Sequence, residues 1–183
     1  ISKFGIPIFL DLKLHDIPVT VYKTVRTLME LDIAIINVHS SGGREMLEAA
    51  AKARDEFKDK STKLIAVTLL TSLDNKDVKE IGYKDNTEDL VFRLASLAKD
   101  SRLDGVVCSA KEISLIKNKL GKNFILVVPG IRLEEDNKND QKRVMSPKKA
   151  IDAGADLLVI GRPITDSKDP VKTIDNILKN IKQ

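Results

Sequence analysis

The chain has 183 residues, of which 42% are hydrophobic, 32% charged and 4% aromatic. This apolar content suffices for one domain with a real core, and it excludes wholesale disorder. The 31 basic residues outnumber the 27 acidic ones, giving a net charge of +4. That excess suits small anionic ligands but is too weak to indicate a nucleic-acid partner.

The sequence predicts a soluble protein of the cytoplasm with no membrane partner. Its longest apolar runs are well short of a membrane span, and its first residues lack the pattern of a secretory signal. The one cysteine, Cys108, excludes an internal disulfide framework and a cysteine-based zinc cluster. A reducing compartment is therefore favoured.

Six apolar, β-branched runs recur along the chain, and each is followed by a helical pattern. They occupy residues 8–13, 33–39, 64–70, 105–109, 125–128 and 155–160. Because these runs are nearly continuous in hydrophobicity, they predict parallel strands buried on both faces. The final helix is predicted to begin with Asp169 as N-cap and Pro170 in its first turn. Its apolar stripe consists of Val171, Ile174, Ile177, Leu178 and Ile181.

Repeated βα units form either an open doubly wound sheet or a closed barrel. Neither a dinucleotide-binding glycine fingerprint nor a P-loop follows any of the runs. Polar residues instead cluster at the carboxyl ends of several predicted strands, which is typical of a (β/α)8 TIM barrel. We therefore predict an α/β fold with six βα units of that barrel, forming a single partial domain over residues 1–183.

The densest chemical signal lies at the end of the first predicted strand, in residues 11–18. Strand side chains alternate with period two, so Asp11 and Lys13 are expected on the same side, inside the barrel. Asp16 lies just beyond and is a candidate to complete an Asp–Lys–Asp array. A lysine between two carboxylates stays protonated, which favours a proton donor over a Schiff-base nucleophile.

Two other interpretations of this segment remain open. The first is an ordinary buried ion pair between Asp11 and Lys13, with Asp16 capping the next helix. The second is a metal site in which His15 and His39 join the two aspartates. No ladder of metal ligands supports the second interpretation.

A second signal indicates an anion site after the last predicted strand. Gly161 would allow backbone N–H groups to approach a phosphate, and Arg162 offers a two-pronged guanidinium. A third signal is the polar stretch 132–145, which contains almost no core-forming residues. Such a stretch is typical of a lid, here with Gln141 or Arg143 reaching the phosphate, although a solvated loop is the alternative.

The octapeptide 11–18 resembles the active-site motif of the orotidine 5′-phosphate decarboxylase family. The resemblance extends in order and spacing through residues 37–39, 42–43, 66–68, 70–72, 104–110, 129–132, 140–144 and 160–162. It implies a cofactor-free and metal-free carboxy-lyase that converts orotidine monophosphate to uridine monophosphate and CO2 in pyrimidine synthesis. It also implies a homodimer whose active sites lie at the subunit interface.

The resemblance assigns catalytic roles to three residues. Lys13 is implied to donate a proton to C6 of the pyrimidine, and Asp11 is implied to lie against the substrate carboxylate. Asp16 is implied to reach the neighbouring subunit's site and hold the lysine there. Thr20 is implied to contact the ribose in that same neighbouring site.

The remaining residues implied by the resemblance bind substrate. Thr71 and Ser72 are implied to contact the pyrimidine edge. Arg132 is implied to lie at the hinge of the lid. The phosphate is implied to be held by Gln141, Gly161 and Arg162.

Family members carry two further strands before the motif, one with an aspartate and one with a lysine of the charged array. Neither is present in this chain, so we expect the 183 residues alone to be poorly active. Two alternative functions remain: a barrel like 3-keto-gulonate-6-phosphate decarboxylase, which uses magnesium, and a catalytically crippled fragment that binds nucleotide phosphate.

Overall fold

The computed structural model describes residues 4–132 and 145–182, in which strands and helices alternate along the chain. The strands are β1 (Phe9–Leu14), β2 (Ile35–His39), β3 (Lys63–Val67), β4 (Gly105–Val107), β5 (Ile125–Val128) and β6 (Leu157–Leu158). The helices are α1 (Pro18–Leu28), α2 (Gly43–Asp55), α3 (Asn75–Glu80), α4 (Thr87–Asp100), α5 (Ile113–Leu120), α6 (Pro147–Asp152), α7 (Arg162–Thr165) and α8 (Pro170–Lys182). All six predicted strands are confirmed, within a few residues at their ends.

The first compact unit comprises the residues up to Thr68 together with Phe92–Val106. Its strands follow the order β1-β2-β3-β4, and the pairs β1–β2 and β2–β3 are parallel. Helices α1 and α2 pack against each other. The apolar side chains of this unit, including Val21, Val25, Ile36 and Leu47, are fully buried. The three central residues of β2 are therefore buried in the apolar core of this unit.

The second compact unit comprises Leu69–Val91 and Val107–Gln183. Its strands β5 and β6 are neighbours and pair in parallel. Its core contains Ile113 and Ile116 of α5 with Leu126 and Val128 of β5. The prediction of a single domain over residues 1–183 stays a prediction.

The prediction that every strand is buried on both faces is wrong for the two outer strands. Strand β1 is exposed at its centre, and Leu157 of β6 is exposed as well. Among the described residues, β1 pairs only with β2 and β6 only with β5. An apolar run indicates the capacity for burial, whereas actual burial needs a neighbour on each side.

Helix α8 begins where the sequence predicts. The backbone N–H of Lys172 donates to Asp169 Oδ1 at 3.0 Å, which makes Asp169 the predicted cap. The apolar stripe is confirmed only in part, because Ile177 is buried while Val171 is 70% exposed. Periodicity shows which face of a helix is apolar, but not how much of that face a neighbouring element covers. In the part of the chain that the structure describes, no helix has the length and apolar character to cross a membrane.

Asp104, which immediately precedes β4, ties three elements of the first unit together. Its Oδ2 accepts the backbone N–H of Leu64 at 2.8 Å and Nη1 of Arg54 at 2.6 Å. Arg54 belongs to α2 and its side chain is only 15% exposed. A charge-assisted bond of this kind, shielded from water, is worth more than a surface ion pair.

Replacing Asp104 with alanine is expected to lower the free energy of unfolding by about 1.5–3 kcal/mol, because the N–H of Leu64 and Nη1 of Arg54 lose their acceptor, although Arg54 keeps its bonds to Asp55. Urea denaturation followed by circular dichroism measures this change. The matched control is Asp100→Ala, since Asp100 is 63% exposed and its pair with Arg44 spans 3.8 Å. The control is expected to stay within about 0.5 kcal/mol. Equal midpoint shifts in the two variants would contradict this role of Asp104.

Candidate active site

The charged segment predicted from the sequence lies on a bulge of β1. Leu10 lies opposite Ile36 of β2, whereas Leu14 lies opposite Val38. The three residues between them therefore face a single residue of the partner strand. Lys13 adopts the left-handed conformation with φ 52°. For a residue with a side chain this costs about 1–3 kcal/mol, so its surroundings must hold it there.

Asp11, Lys13 and Asn37 form a closed hydrogen-bonded ring on this bulge. The ammonium Nζ of Lys13 donates to Asp11 Oδ2 at 2.6 Å. The amide Nδ2 of Asn37 donates to Asp11 Oδ1 at 2.6 Å. The ring closes where the backbone N–H of Lys13 donates to Asn37 Oδ1 at 2.7 Å. The predicted pairing of Asp11 with Lys13 is confirmed, and it is achieved through a bulge instead of regular alternation.

The electrostatics of the ring keep the carboxylate ionised. Burial by itself raises the pKa of Asp11, but the hydrogen bonds from Lys13 and Asn37 outweigh it and hold the pKa of that carboxyl below its ordinary value. The two side chains of the ion pair are 48% and 40% exposed. The expectation of a buried ion pair is therefore wrong for the described residues, in which β1 has a neighbouring strand on one side only. An ion pair with this exposure adds little to stability.

Asp16 and Thr20 lie just beyond the ring. Asp16 Oδ1 accepts the N–H of Ile17 at 2.6 Å, and Asp16 makes no ion pair with Lys13 within the described residues. Helix α1 begins after Ile17 without a side-chain cap, so the alternative role of Asp16 as a helix cap is wrong. Thr20 is exposed in the first turn of α1. Their roles in a neighbouring subunit stay predictions.

Two histidine side chains lie near the hydrogen-bonded ring. The centroids of the His15 and His39 imidazoles are 5.4 Å apart. Burial lowers the pKa of His39, and the neighbouring His15 and Lys13 side chains lower it further. Within residues 4–132 and 145–182, no three histidine, cysteine or carboxylate side chains gather closely enough to hold a metal ion.

The second unit holds the predicted residues that follow later strands. Thr71 is buried and Ser72 half-buried, both in the turn after β3. Gly161 precedes α7, where its carbonyl accepts the N–H of Ile164 at 2.8 Å. Arg162, the first residue of α7, is exposed. Arg162 therefore begins the helix that follows β6, and its role in binding phosphate stays a prediction.

Arg132 lies at one end of the polar stretch. Its backbone N–H donates to the carbonyl of Met145 at 3.1 Å, and Met145 N–H donates to Gly130 at 3.4 Å. The two ends of the stretch are therefore held together. Gln141 and Arg143 lie outside the described residues, so the predicted lid stays a prediction.

Asn37 lies within the resemblance at residues 37–39, but the resemblance assigns it no role. Asn37 is 1% exposed and interrupts the apolar run of β2. The sequence signal for this residue is a single amide inside an apolar run, on the strand next to that of Asp11. A buried amide in an apolar strand needs hydrogen-bond partners, because burying it without them is costly.

Parallel βα units with charged groups after their strands define a class, the enzymes built on (β/α)8 barrels. Residues 1–177 match the sequence model described as the orotidine 5′-phosphate decarboxylase / HUMPS family. The chain belongs to this family.

Individual relatives agree with this assignment. An orotidine 5′-phosphate decarboxylase of Coxiella burnetii is 52% identical over 179 residues, covering 97% of this chain and 76% of the relative. One of Ehrlichia canis is 52% identical, covering 99% and 78%. The crystal structure of the Lactobacillus acidophilus enzyme is 35% identical with a TM-score of 0.84, covering 100% of this chain and 78% of its own. These matches confirm the predicted fold class, six βα units of the family's barrel.

Proposed function

We propose that the protein is a carboxy-lyase that converts orotidine 5′-monophosphate to uridine 5′-monophosphate and CO2. The carrying observation is the ring on the β1 bulge, which presents an ammonium and a carboxylate together at an accessible surface. The names of the relatives, at about half identity over nearly the whole chain, support the choice of substrate.

In the proposed reaction the bond from C6 of the pyrimidine to its carboxyl carbon breaks, and CO2 leaves. The bonding electron pair stays on C6, where negative charge develops. The Lys13 ammonium stabilises that charge and then transfers its proton to C6, which leaves a neutral amine that solvent reprotonates. Asp11 lies against the substrate carboxylate and keeps the ammonium in place. A fixed charge that is already oriented is the most effective way to stabilise such a transition state.

The phosphate takes no part in the bond breaking, so its binding energy is available for positioning. We assign its recognition to Gly161, Arg162 and Gln141, with Arg132 at the hinge of the closing segment. Thr71 and Ser72 are assigned to the pyrimidine edge. The exposed position of Arg162 supports this assignment, because a phosphate can reach it.

We further propose a cytoplasmic homodimer in which Asp16 and Thr20 complete the partner's site. Support comes from Asp16 itself, which makes no ion pair with the lysine of its own chain within the described ranges. The single cysteine is consistent with the proposed cytoplasmic location.

The test is an absorbance assay with orotidine 5′-monophosphate, using protein expressed from its complete reading frame. We expect loss of the orotidine absorbance and formation of uridine monophosphate at a rate that survives exhaustive chelation. Activity that disappears with the chelator and returns with magnesium would favour the magnesium-dependent relative. Binding of uridine monophosphate without any turnover would favour the non-catalytic alternative.

A further inference from the structure

Asn37 contacts both charged partners of the ring, but through different atoms. Its Nδ2 donates to the carboxylate of Asp11, and its Oδ1 accepts the backbone N–H of Lys13. It does not contact the ammonium itself. Because Asn37 is 1% exposed on β2, between the buried residues Ile36 and Val38, its amide is held in one place by the core.

We propose that Asn37 is a positioning residue that sets the place of the Lys13 ammonium for proton transfer, an inference that rests on the proposed decarboxylation. The backbone bond holds Lys13 in its left-handed conformation at the bulge. The side-chain bond fixes the carboxylate to which the ammonium is anchored. The buried amide of Asn37 therefore positions the backbone of Lys13 directly and its ammonium through Asp11.

Loss of Asn37 removes both constraints at once. The N–H of Lys13 loses its acceptor, and the left-handed backbone loses the contact that compensates for its strain. Asp11 keeps its bond to Lys13, but the pair is then free to move together, since both side chains are half-exposed. A displacement of about 1 Å at a reacting group lowers a rate roughly 10²-fold.

The competing explanation is that Asn37 only stabilises the fold, like any buried polar side chain. Thr62 offers a matched control for that explanation. It is buried in the same unit, and its hydroxyl donates to the carbonyl of Ile33 at 2.7 Å, before β2 begins. The near-isosteric variant Thr62→Val removes one buried hydrogen bond from the opposite end of these strands.

The experiment compares Asn37→Leu, Asn37→Asp and Thr62→Val with the wild type, all expressed from the complete reading frame. We expect Asn37→Leu to lower kcat roughly 10²-fold with KM changed less than about threefold. Thr62→Val is expected to lower the thermal midpoint comparably while keeping kcat within about twofold. Affinity for uridine monophosphate is expected to hold in all three variants.

The variant Asn37→Asp adds a readout that a purely structural residue would not show. When ionised, the introduced carboxyl repels Asp11 and cannot donate to it. When protonated, it can donate to Asp11 and still accept from Lys13, which reproduces the asparagine pattern. The charge of Asp11 and burial raise the pKa of the introduced carboxyl, whereas the Lys13 ammonium lowers it. We expect the first two to prevail, because position 37 contacts Asp11 directly and the ammonium lies on the other carboxylate oxygen. Its activity relative to wild type should therefore rise at least about tenfold from about pH 8.5 to about pH 5.5.

Two results would overturn the inference: a kcat of Asn37→Leu as close to wild type as that of Thr62→Val, or an activity ratio of Asn37→Asp that is flat with pH. Wild-type protein that never turns over orotidine monophosphate overturns the proposed function and this role in it. The ring itself is tested without substrate, by carbon-13 NMR titration of Asp11. The pKa of Asp11 should rise in Asn37→Leu and stay unchanged in Thr62→Val.

Discussion

Replacing Lys13 with alanine is expected to abolish decarboxylation, with a loss of at least about 10³-fold in kcat. An ammonium about 4 Å from a developing carbanion contributes roughly 4 kcal/mol at an effective dielectric near 20. Each 1.4 kcal/mol or so is a factor of about ten in rate. Loss of the proton that C6 receives adds to this deficit. The measurement is the absorbance of the pyrimidine under single-turnover conditions.

The Lys13→Ala variant should keep its fold and its binding of phosphate. The Lys13–Asp11 pair is half-exposed, so its removal is expected to change the free energy of unfolding by less than about 1 kcal/mol. Affinity for uridine monophosphate is expected to remain within about tenfold of wild type. Lys23→Ala, which removes an exposed lysine of α1, is the charge-matched control and should retain full turnover. Near-normal turnover of Lys13→Ala would exclude the proposed mechanism.

Replacing Arg162 with alanine is expected to lower kcat/KM for orotidine monophosphate by roughly 10³-fold. A guanidinium that grips a phosphate with two charge-assisted hydrogen bonds contributes about 2 kcal/mol through each of them. Part of the loss should appear in kcat, because phosphate binding is proposed to drive positioning at the pyrimidine. Steady-state kinetics over a wide substrate range separate the two contributions.

The phosphate-specific nature of this effect is testable with nucleosides. Arg162→Ala is expected to weaken uridine monophosphate binding while leaving the weak binding of uridine unchanged. Arg162→Lys should recover part of the loss, since a lysine supplies charge but not the planar fork. Lys168→Ala removes an exposed positive charge from the same unit and should have little effect. An equal loss for nucleoside and nucleotide would place Arg162 outside the phosphate site.

Much of the secondary structure could be predicted from local patterns. Six β-branched runs become six strands, and the cap at Asp169 and the start at Pro170 are where the sequence predicts them. Local prediction succeeds here because hydrogen-bonding preferences and apolar periodicity act over a few residues. The exposed apolar residues of α8 show its limit, because coverage of a helix face depends on distant segments.

The candidate site could be predicted in part for the same reason. Asp11 and Lys13 are close in the sequence, and their pairing was expected from their spacing. The bulge that brings them together was not expected, because it depends on the register between β1 and β2. Local patterns predict no role for Asn37, because its hydrogen-bond partners lie 24 and 26 residues away in the sequence.

Local sequence patterns suffice to predict the succession of strands and helices, the family resemblance and the charged residues at strand ends. The exposure of the Asp11–Lys13 pair follows from the packing around β1 and is not predictable from the segment alone. The tertiary structure also decided that Lys13 takes a left-handed backbone and that a buried amide holds both members of the pair. The physical reason is that burial, register and hydrogen-bond partners are properties of neighbouring strands, which one strand's sequence does not specify.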